Sequence, residues 1–264
     1  MKVCLVIGFG WLGNPLAKAL RQHGHQLYAT TTNPKKIKEM EEAEIHPLLL
    51  TKRKEVLHWE MIPTQHFDSI VITFPPFEGI EVSLQNLLSE LSFDQLILTS
   101  STGVYLDQSE IITEDSAVDS SHLVTRMEQI VKEMSPTSLY IFRLAGHIGP
   151  NRHPLNYFLR SSKMISNGNA SVNLIHQADI IQALKDAIHG KIPKGIYNLC
   201  YPSHPSKINY YGTLAKEIAN VTLQFDDQNI GKTIDGSKIT LVSEFKYDSS
   251  IHEINDLYLK KDNN

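Results

Sequence analysis

A short apolar run, Val3-Cys-Leu-Val-Ile7, passes directly into Gly8-Phe-Gly10-Trp-Leu-Gly13. A segment with apolar residues at Leu12, Leu16, Ala19 and Leu20 follows. No other stretch constrains the fold as tightly. The order predicts a buried strand, a tight glycine turn and an amphipathic helix, which is how a dinucleotide-binding βαβ unit begins. Each glycine has its own physical task. Gly8 allows the turn, Gly10 lets the backbone approach a pyrophosphate, and Gly13 lets the helix pack closely on the strand. The helix start adds unpaired N–H groups and the positive end of the helix dipole. Pro15 falls in the first helical turn, where its missing N–H costs nothing. Trp11 and Leu12, inside the turn, are grouped with the three glycines as cofactor-binding positions. A glycine turn can also serve packing alone, and the flanking strand and helix are what turn the expectation toward a ligand.

The rest of the chain alternates. Strands are predicted at Gln26–Thr31, Ile45–Leu50, Ser69–Phe74, Gln95–Thr99 and Ser138–Leu144. Helices are predicted over Pro34–Glu42, from Ile80 to Leu91, and from Leu123 to Met134. Continuous apolar strands separated by helical periodicity predict an α/β, Rossmann-like, doubly wound parallel sheet. The rhythm changes after Gly149-Pro150. Helices are expected at Leu155–Met164, Asp179–Ile188 and Tyr210–Ala219, with strands at Ser171–Ile175 and Gly195–Leu199. The expected division is residues 1–150 as an NAD(P)-binding domain and 151–264 as a small C-terminal substrate lobe, with 171–199 returning to the first domain. Lys260–Asn264 should fray.

Composition narrows the function. The 264 residues carry a net charge of -4, so there is no global basic field for nucleic acid or an anionic membrane. No apolar run reaches the roughly eighteen residues of a membrane span, and the first apolar run lacks a cleavage pattern. The two cysteines, Cys4 and Cys200, read as buried hydrophobes in a reducing cytoplasm. No His-Glu-x-x-His or Cys-x-x-Cys occurs, so no metal site is expected. Gly231-Lys-Thr233 imitates the end of a phosphate loop, but Asp226 occupies the position of its first glycine and no strand precedes it.

Two strand ends offer chemistry. After the second strand stand Thr31, Thr32 and Asn33, then Lys35 and Lys36, where an NAD-preferring site places an acid. Hydroxyls, an amide and cations suit a 2′-phosphate, so NADP is the expected cofactor, with NAD the alternative. These residues could equally cap a helix. Phe74 and Pro75, at the end of the fourth strand, complete the expected cofactor contacts. The fifth strand ends in Thr99-Ser-Ser101-Thr-Gly103, a hydroxyl cluster that either faces the crevice or ties off the strand.

Gly8-Phe-Gly-Trp-Leu-Gly13, Ser100-Ser-Thr-Gly-Val-Tyr105, Arg143-Leu-Ala-Gly-His-Ile-Gly-Pro150 and Val172-Asn-Leu-Ile-His-Gln-Ala-Asp-Ile180 resemble the extended short-chain dehydrogenase/reductases, the NAD-dependent epimerase/dehydratase family. The likeness continues through Gly195-Ile-Tyr-Asn198 to Gly231–Lys238. It is greatest with a short, atypical bacterial branch whose members often lack the full catalytic set. The resemblance implies an oxidoreductase or epimerase acting on a nucleotide sugar or similar polar metabolite, and a possible homodimer. Its alternative is a non-catalytic NAD(P)-binding protein that senses redox state or binds a partner. The family hydroxyl matches Ser101. The family Tyr-x-x-x-Lys is missing, and by register His122 stands for Tyr and Arg126 for Lys. A histidine can act as acid or base near neutrality, whereas an arginine cannot share its proton. By the same resemblance His176 and Asp179 set a strand-to-helix turn, with Asp179 near an N-cap.

Overall fold

The computed structural model describes residues 1–106, 111–161 and 163–253. The tail Lys260–Asn264 lies outside them. The strands are β1 (Val3–Ile7), β2 (Gln26–Thr31), β3 (His46–Arg53), β4 (Val56–Trp59), β5 (His66–Ile72), β6 (Ser92–Ser101), β7 (Ile111–Ile112), β8 (Ser138–Leu144), β9 (Gly146–Ile148), β10 (Leu174–His176), β11 (Gly195–Leu199) and β12 (Thr233–Ile234). The helices are α1 (Gly13–Gln22), α2 (Ile37–Glu42), α3 (Ile80–Ser89), α4 (Leu123–Glu133), α5 (Leu155–Arg160), α6 (Gln177–Ile188), α7 (Thr213–Ala219) and α8 (Lys238–Val242).

An eight-stranded sheet runs in the order β11-β8-β6-β5-β1-β2-β3-β4. β1 pairs in parallel with β2 and β5, and the same sense continues from β2 to β3 and from β5 to β6. This is the expected Rossmann-like α/β fold. Its core packs Leu5, Ile7, Ile70, Ile72, Leu96 and Leu98 of the strands against Leu84, Leu87 and Leu88 of α3 and Met127, Ile130 and Val131 of α4. Those are the apolar stripes that the helical periodicity predicts.

The chain divides into two compact units. The first comprises Met1–Val104, Asp119–Arg143 and Ile181–Ile196, and the second Tyr105–Val118, Leu144–Ile180 and Tyr197–Asn264. The expected boundary at residue 150 thus falls after Arg143, and the returning segment begins at Ile181. The reason is local pairing: β10 joins β9 as a separate two-stranded sheet, which keeps both in the second unit. That unit has its own core around Ile148, Leu155, Leu174, Tyr210, Tyr211 and Ala215. Two of these residues, Tyr210 and Tyr211, sit in a π-helical turn, Ile208–Gly212, where a plain α-helical start is expected.

The short strands β7, β9 and β12 have no counterpart in the sequence reading, and neither does β4. β4 pairs antiparallel with β3, and the two-residue turn between them holds Lys54 and Glu55 at positive φ. Such a hairpin turn is ordinarily signalled by Asn or Gly, and neither is present.

Candidate functional site

The sheet order reverses at β1. The chain builds β2, β3 and β4 to one side, then returns to place β5, β6, β8 and β11 on the other. Such a reversal leaves a crevice at the carboxyl ends of the two central strands. Gly8 and Thr73 follow directly on those ends, since Ile7 is in register with Ile72.

The Gly8 peptide is held on both sides. Its N–H donates to Thr30 Oγ1 at 2.9 Å, and its carbonyl accepts from Thr73 Oγ1 at 2.8 Å. Gly8 has φ +112°, a value that L side chains rarely adopt. A Cβ on Gly13 would fall 2.0 Å from the Gly8 carbonyl oxygen and 2.7 Å from Thr73 Oγ1, so helix α1 meets β1 as closely as two backbones can. Gly10 differs from both. It is exposed, its φ lies outside the left-handed region, and no atom lies within 4 Å of where its Cβ would stand. Packing therefore explains two of the three glycines, and Gly10 is bare toward open space. Helix α1 starts beside it with no side-chain cap and no acid in its first turn. Leu12 is buried and Trp11 half-buried beneath this turn.

On the β2 side, the Thr31 hydroxyl accepts from Asn33 N–H at 3.0 Å and donates to the Asn33 carbonyl at 3.3 Å. The Asn33 side chain caps the short helical turn Pro34–Lys36 by accepting from Lys35 N–H at 3.1 Å. Thr32 is exposed. The Lys36 ammonium donates to the Phe9 carbonyl at 2.8 Å, which places a cation on the rim of the glycine turn. Beyond it, Glu39 accepts from Lys18 at 2.9 Å and from Asn14 at 2.7 Å, and these bonds hold its carboxyl below the usual range. On the β5 side, Phe74 is half-buried against Phe77 and Pro75 is exposed.

At the end of β6 the hydroxyls divide their work. Thr99 donates to the Ile72 carbonyl at 2.9 Å, and Ser100 donates to Glu128 at 2.5 Å. Ser101 Oγ accepts from Gly103 N–H at 3.0 Å. His122 is the N-cap of α4, with Nδ1 accepting from Val124 N–H at 3.2 Å. A Cβ on Gly103 would stand 3.2 Å from Ser101 Oγ and 3.7 Å from His122 Nε2, so Ser101 and His122 border the same space. Arg126 does not share it as a pair with His122. Its Nη1 lies 3.1 Å from Glu81 Oε1 of α3, in a half-exposed ion pair.

Within the second unit, Tyr105 is 3% exposed and donates to Asn198 Oδ1 at 2.7 Å, a packing role. His176 Nδ1 accepts from Ala178 N–H at 3.1 Å and so ties down the start of α6, near which Asp179 is the expected cap. Asp179 instead accepts from the Asp248 and Ser249 N–H groups, each at 3.2 Å, and pins a segment near the carboxyl end of the chain.

The sequence reading missed Thr30, Thr73 and the Glu128–Arg143 pair. A faint signal existed for the threonines, since each stands at or next to the carboxyl end of a central strand. Among the described residues, no helix is long and apolar enough to cross a membrane.

Residues 4–125 match the family described as the NAD binding domain of 6-phosphogluconate dehydrogenase. Protein YeeZ of Escherichia coli (strain K12) is 32% identical over 267 residues, spanning 94% of this chain and 96% of that one. Among solved structures, MoeE5 in complex with UDP-glucose and NAD superposes with a TM-score of 0.74 at 17% identity, covering 95% of each chain. UDP-glucuronic acid 4-epimerase from Bacillus cereus, in complex with NAD, gives 0.69 at 16% identity, covering 95% of this chain and 93% of that one. At these identities the likeness to the solved structures is one of fold.

Proposed function

We propose a function from one premise: this chain belongs to the family of protein YeeZ of Escherichia coli. It binds a nicotinamide dinucleotide at the Gly8–Gly13 turn and acts as an epimerase-like oxidoreductase on a nucleotide sugar or similar polar metabolite. The observation that carries the reading is Gly10, bare where neither packing nor backbone conformation requires a glycine. The group fits the residues present. The uncapped start of α1 and the open Gly10 backbone would hold the pyrophosphate, with Trp11 and Leu12 shaping the turn. Thr31, Thr32, Asn33 and Lys36 would meet the adenosine ribose, and the Lys36 cation favours a 2′-phosphate and hence NADP. Phe74 and Pro75 would line the β5 side. When bound, the cofactor supplies hydride exchange at its nicotinamide. Ser101 and His122 would hold the substrate oxygen. Likeness of fold to a protein solved with UDP-glucose and NAD supports this substrate class.

A second reading, a non-catalytic NAD(P)-binding protein, is favoured by one observation: the Arg126 guanidinium is engaged by Glu81. Calorimetry with NADPH and NADH on the full chain tests the common part of both. Tight binding that is lost in Gly10→Val, with the circular dichroism spectrum unchanged, is the expected result. Equal affinity in that variant would sink the assignment. Absence of turnover on a broad panel of carbonyl and sugar-nucleotide substrates, with binding intact, would select the second reading.

A further inference from the structure

The chain contains a single Asn-Gly pair, Asn167-Gly168, and the fold of the second unit requires both residues. Asn167 has φ +59°, a left-handed conformation that asparagine tolerates better than most side chains. A Cβ on Gly168 would fall 2.3 Å from the Asp226 carbonyl oxygen and 2.9 Å from Phe225 Cβ, so only glycine lets the two segments approach. Asparagine before glycine is also self-reactive, because no Cβ shields the glycine nitrogen from the neighbouring side-chain amide. The segment that requires the pair also holds its reacting atoms. Asp226 Oδ1 accepts from the Asn167 N–H at 2.7 Å and from the Gly168 N–H at 3.3 Å. Asn167 Oδ1 accepts from the Ile230 N–H at 3.2 Å.

We propose that Asn167 is a deamidation site that the segment from Asp226 to Ile230 keeps closed, so that its conversion records the opening of this loop. In the reaction the Gly168 nitrogen loses its proton and bonds to Asn167 Cγ, the Cγ–Nδ2 bond breaks, and ammonia leaves. Water opens the resulting succinimide at either carbonyl and gives aspartate or isoaspartate. Attack needs the side-chain carbon turned toward the glycine nitrogen and that N–H released. In the folded chain the N–H is given to Asp226 and the side-chain oxygen is held by Ile230, so ring closure waits on local opening. Isoaspartate lengthens the backbone by one carbon beside a carbonyl in use. The Gly168 carbonyl accepts from the Ile208 N–H at 3.0 Å, at the start of the π-helical turn that carries Tyr210 and Tyr211. Modification therefore loosens the edge of the second core. This inference is independent of the cofactor reading.

Peptide mass spectrometry of the full chain, incubated at mildly alkaline pH with and without guanidinium chloride, tests it. The readout is the mass gained when OH replaces NH2 at residue 167, with fragment ions separating it from Asn169. Conversion is expected in denaturant, and at least roughly thirtyfold more slowly in the folded chain, the factor for two hydrogen bonds of ordinary net strength. Asp226→Ala, which releases the Gly168 N–H, should raise the folded-state rate by roughly fivefold or more. Asp226→Asn keeps an oxygen acceptor and should raise it less. Amide hydrogen exchange at Gly168 in the wild type serves where Asp226→Ala fails to fold, and protection of that amide should parallel the slowing of deamidation. Equal rates with and without denaturant, no conversion even in denaturant, a folded Asp226→Ala that reacts no faster, or an unprotected Gly168 amide would each overturn the proposal.

Discussion

Arg143 grips Glu128 with two parallel hydrogen bonds, Nε to Oε1 at 3.0 Å and Nη2 to Oε2 at 2.9 Å, with side chains 4% and 1% exposed. Ser100 donates to the same Oε1 at 2.5 Å, and Lys132 lies 3.8 Å from Oε2. The pair therefore joins β8, α4 and the end of β6. Ser101 follows Ser100, and His122 caps α4, so a buried ion pair fixes the two elements whose ends carry these two candidate site residues.

Removing one partner strands the other charge in the interior. Arg143→Met should destabilise the chain by about 3–5 kcal/mol in urea unfolding. The double change Arg143→Met with Glu128→Leu should recover much of that loss, because no buried charge remains. A single variant costing less than about 1 kcal/mol, the scale of an exposed pair, would show that the pair is better solvated than its burial indicates.

The three glycines should fail in different ways. Gly13→Ala places a Cβ 2.0 Å from the Gly8 carbonyl, so strand and helix must separate. It should unfold or lose several kcal/mol, by roughly the cost of overpacking a tight core or more. Gly10→Ala meets nothing within 4 Å and should keep wild-type stability. Thermal unfolding of both variants decides, and equal melting temperatures would contradict the contact.

Lys36 should set cofactor preference. Lys36→Met should weaken NADPH by roughly ten- to a hundredfold, about 1.5–3 kcal/mol for a charge-assisted hydrogen bond, and NADH much less. The wild-type preference should narrow in high salt, since the charge is near the surface. Titrations that show equal losses for both cofactors would reduce Lys36 to its bond with the Phe9 carbonyl.

Asp179 makes stability depend on pH. Burial raises its carboxyl from 3.8 to about 6, against the pull of the Ser249 and Asp248 N–H bonds. The folded chain thus binds this proton more tightly than the unfolded chain. Stability from this group should fall as pH rises from 3.8 to about 6 and level off above, while Asp179→Asn lacks that slope. Denaturation curves of both proteins across this range check the sign, and a wild type that gains stability relative to Asp179→Asn as pH rises would refute it.

The fold was largely legible because its signals are local. The apolar run of β1, the glycine turn and the stripe of α1 are contiguous, and β2 and β8 occupy the predicted ranges, Gln26–Thr31 and Ser138–Leu144. Hairpin β3–β4 was illegible because Lys54 and Glu55 take left-handed conformations that side chains of their type do not announce.

At the candidate site, the sequence by itself determined which residue types are available: three spaced glycines, the hydroxyls through Ser101, and His122. Tertiary structure alone decided what each does. Thr30 and Thr73, 22 and 65 residues from Gly8, become its two clamps only when β2 and β5 flank β1. Arg126 has the helical spacing to join His122, yet packing of α3 beside α4 supplies Glu81 instead. A helix period specifies which side chains share a face, while a hydrogen bond or ion pair needs the partner element, and that element arrives only with the fold.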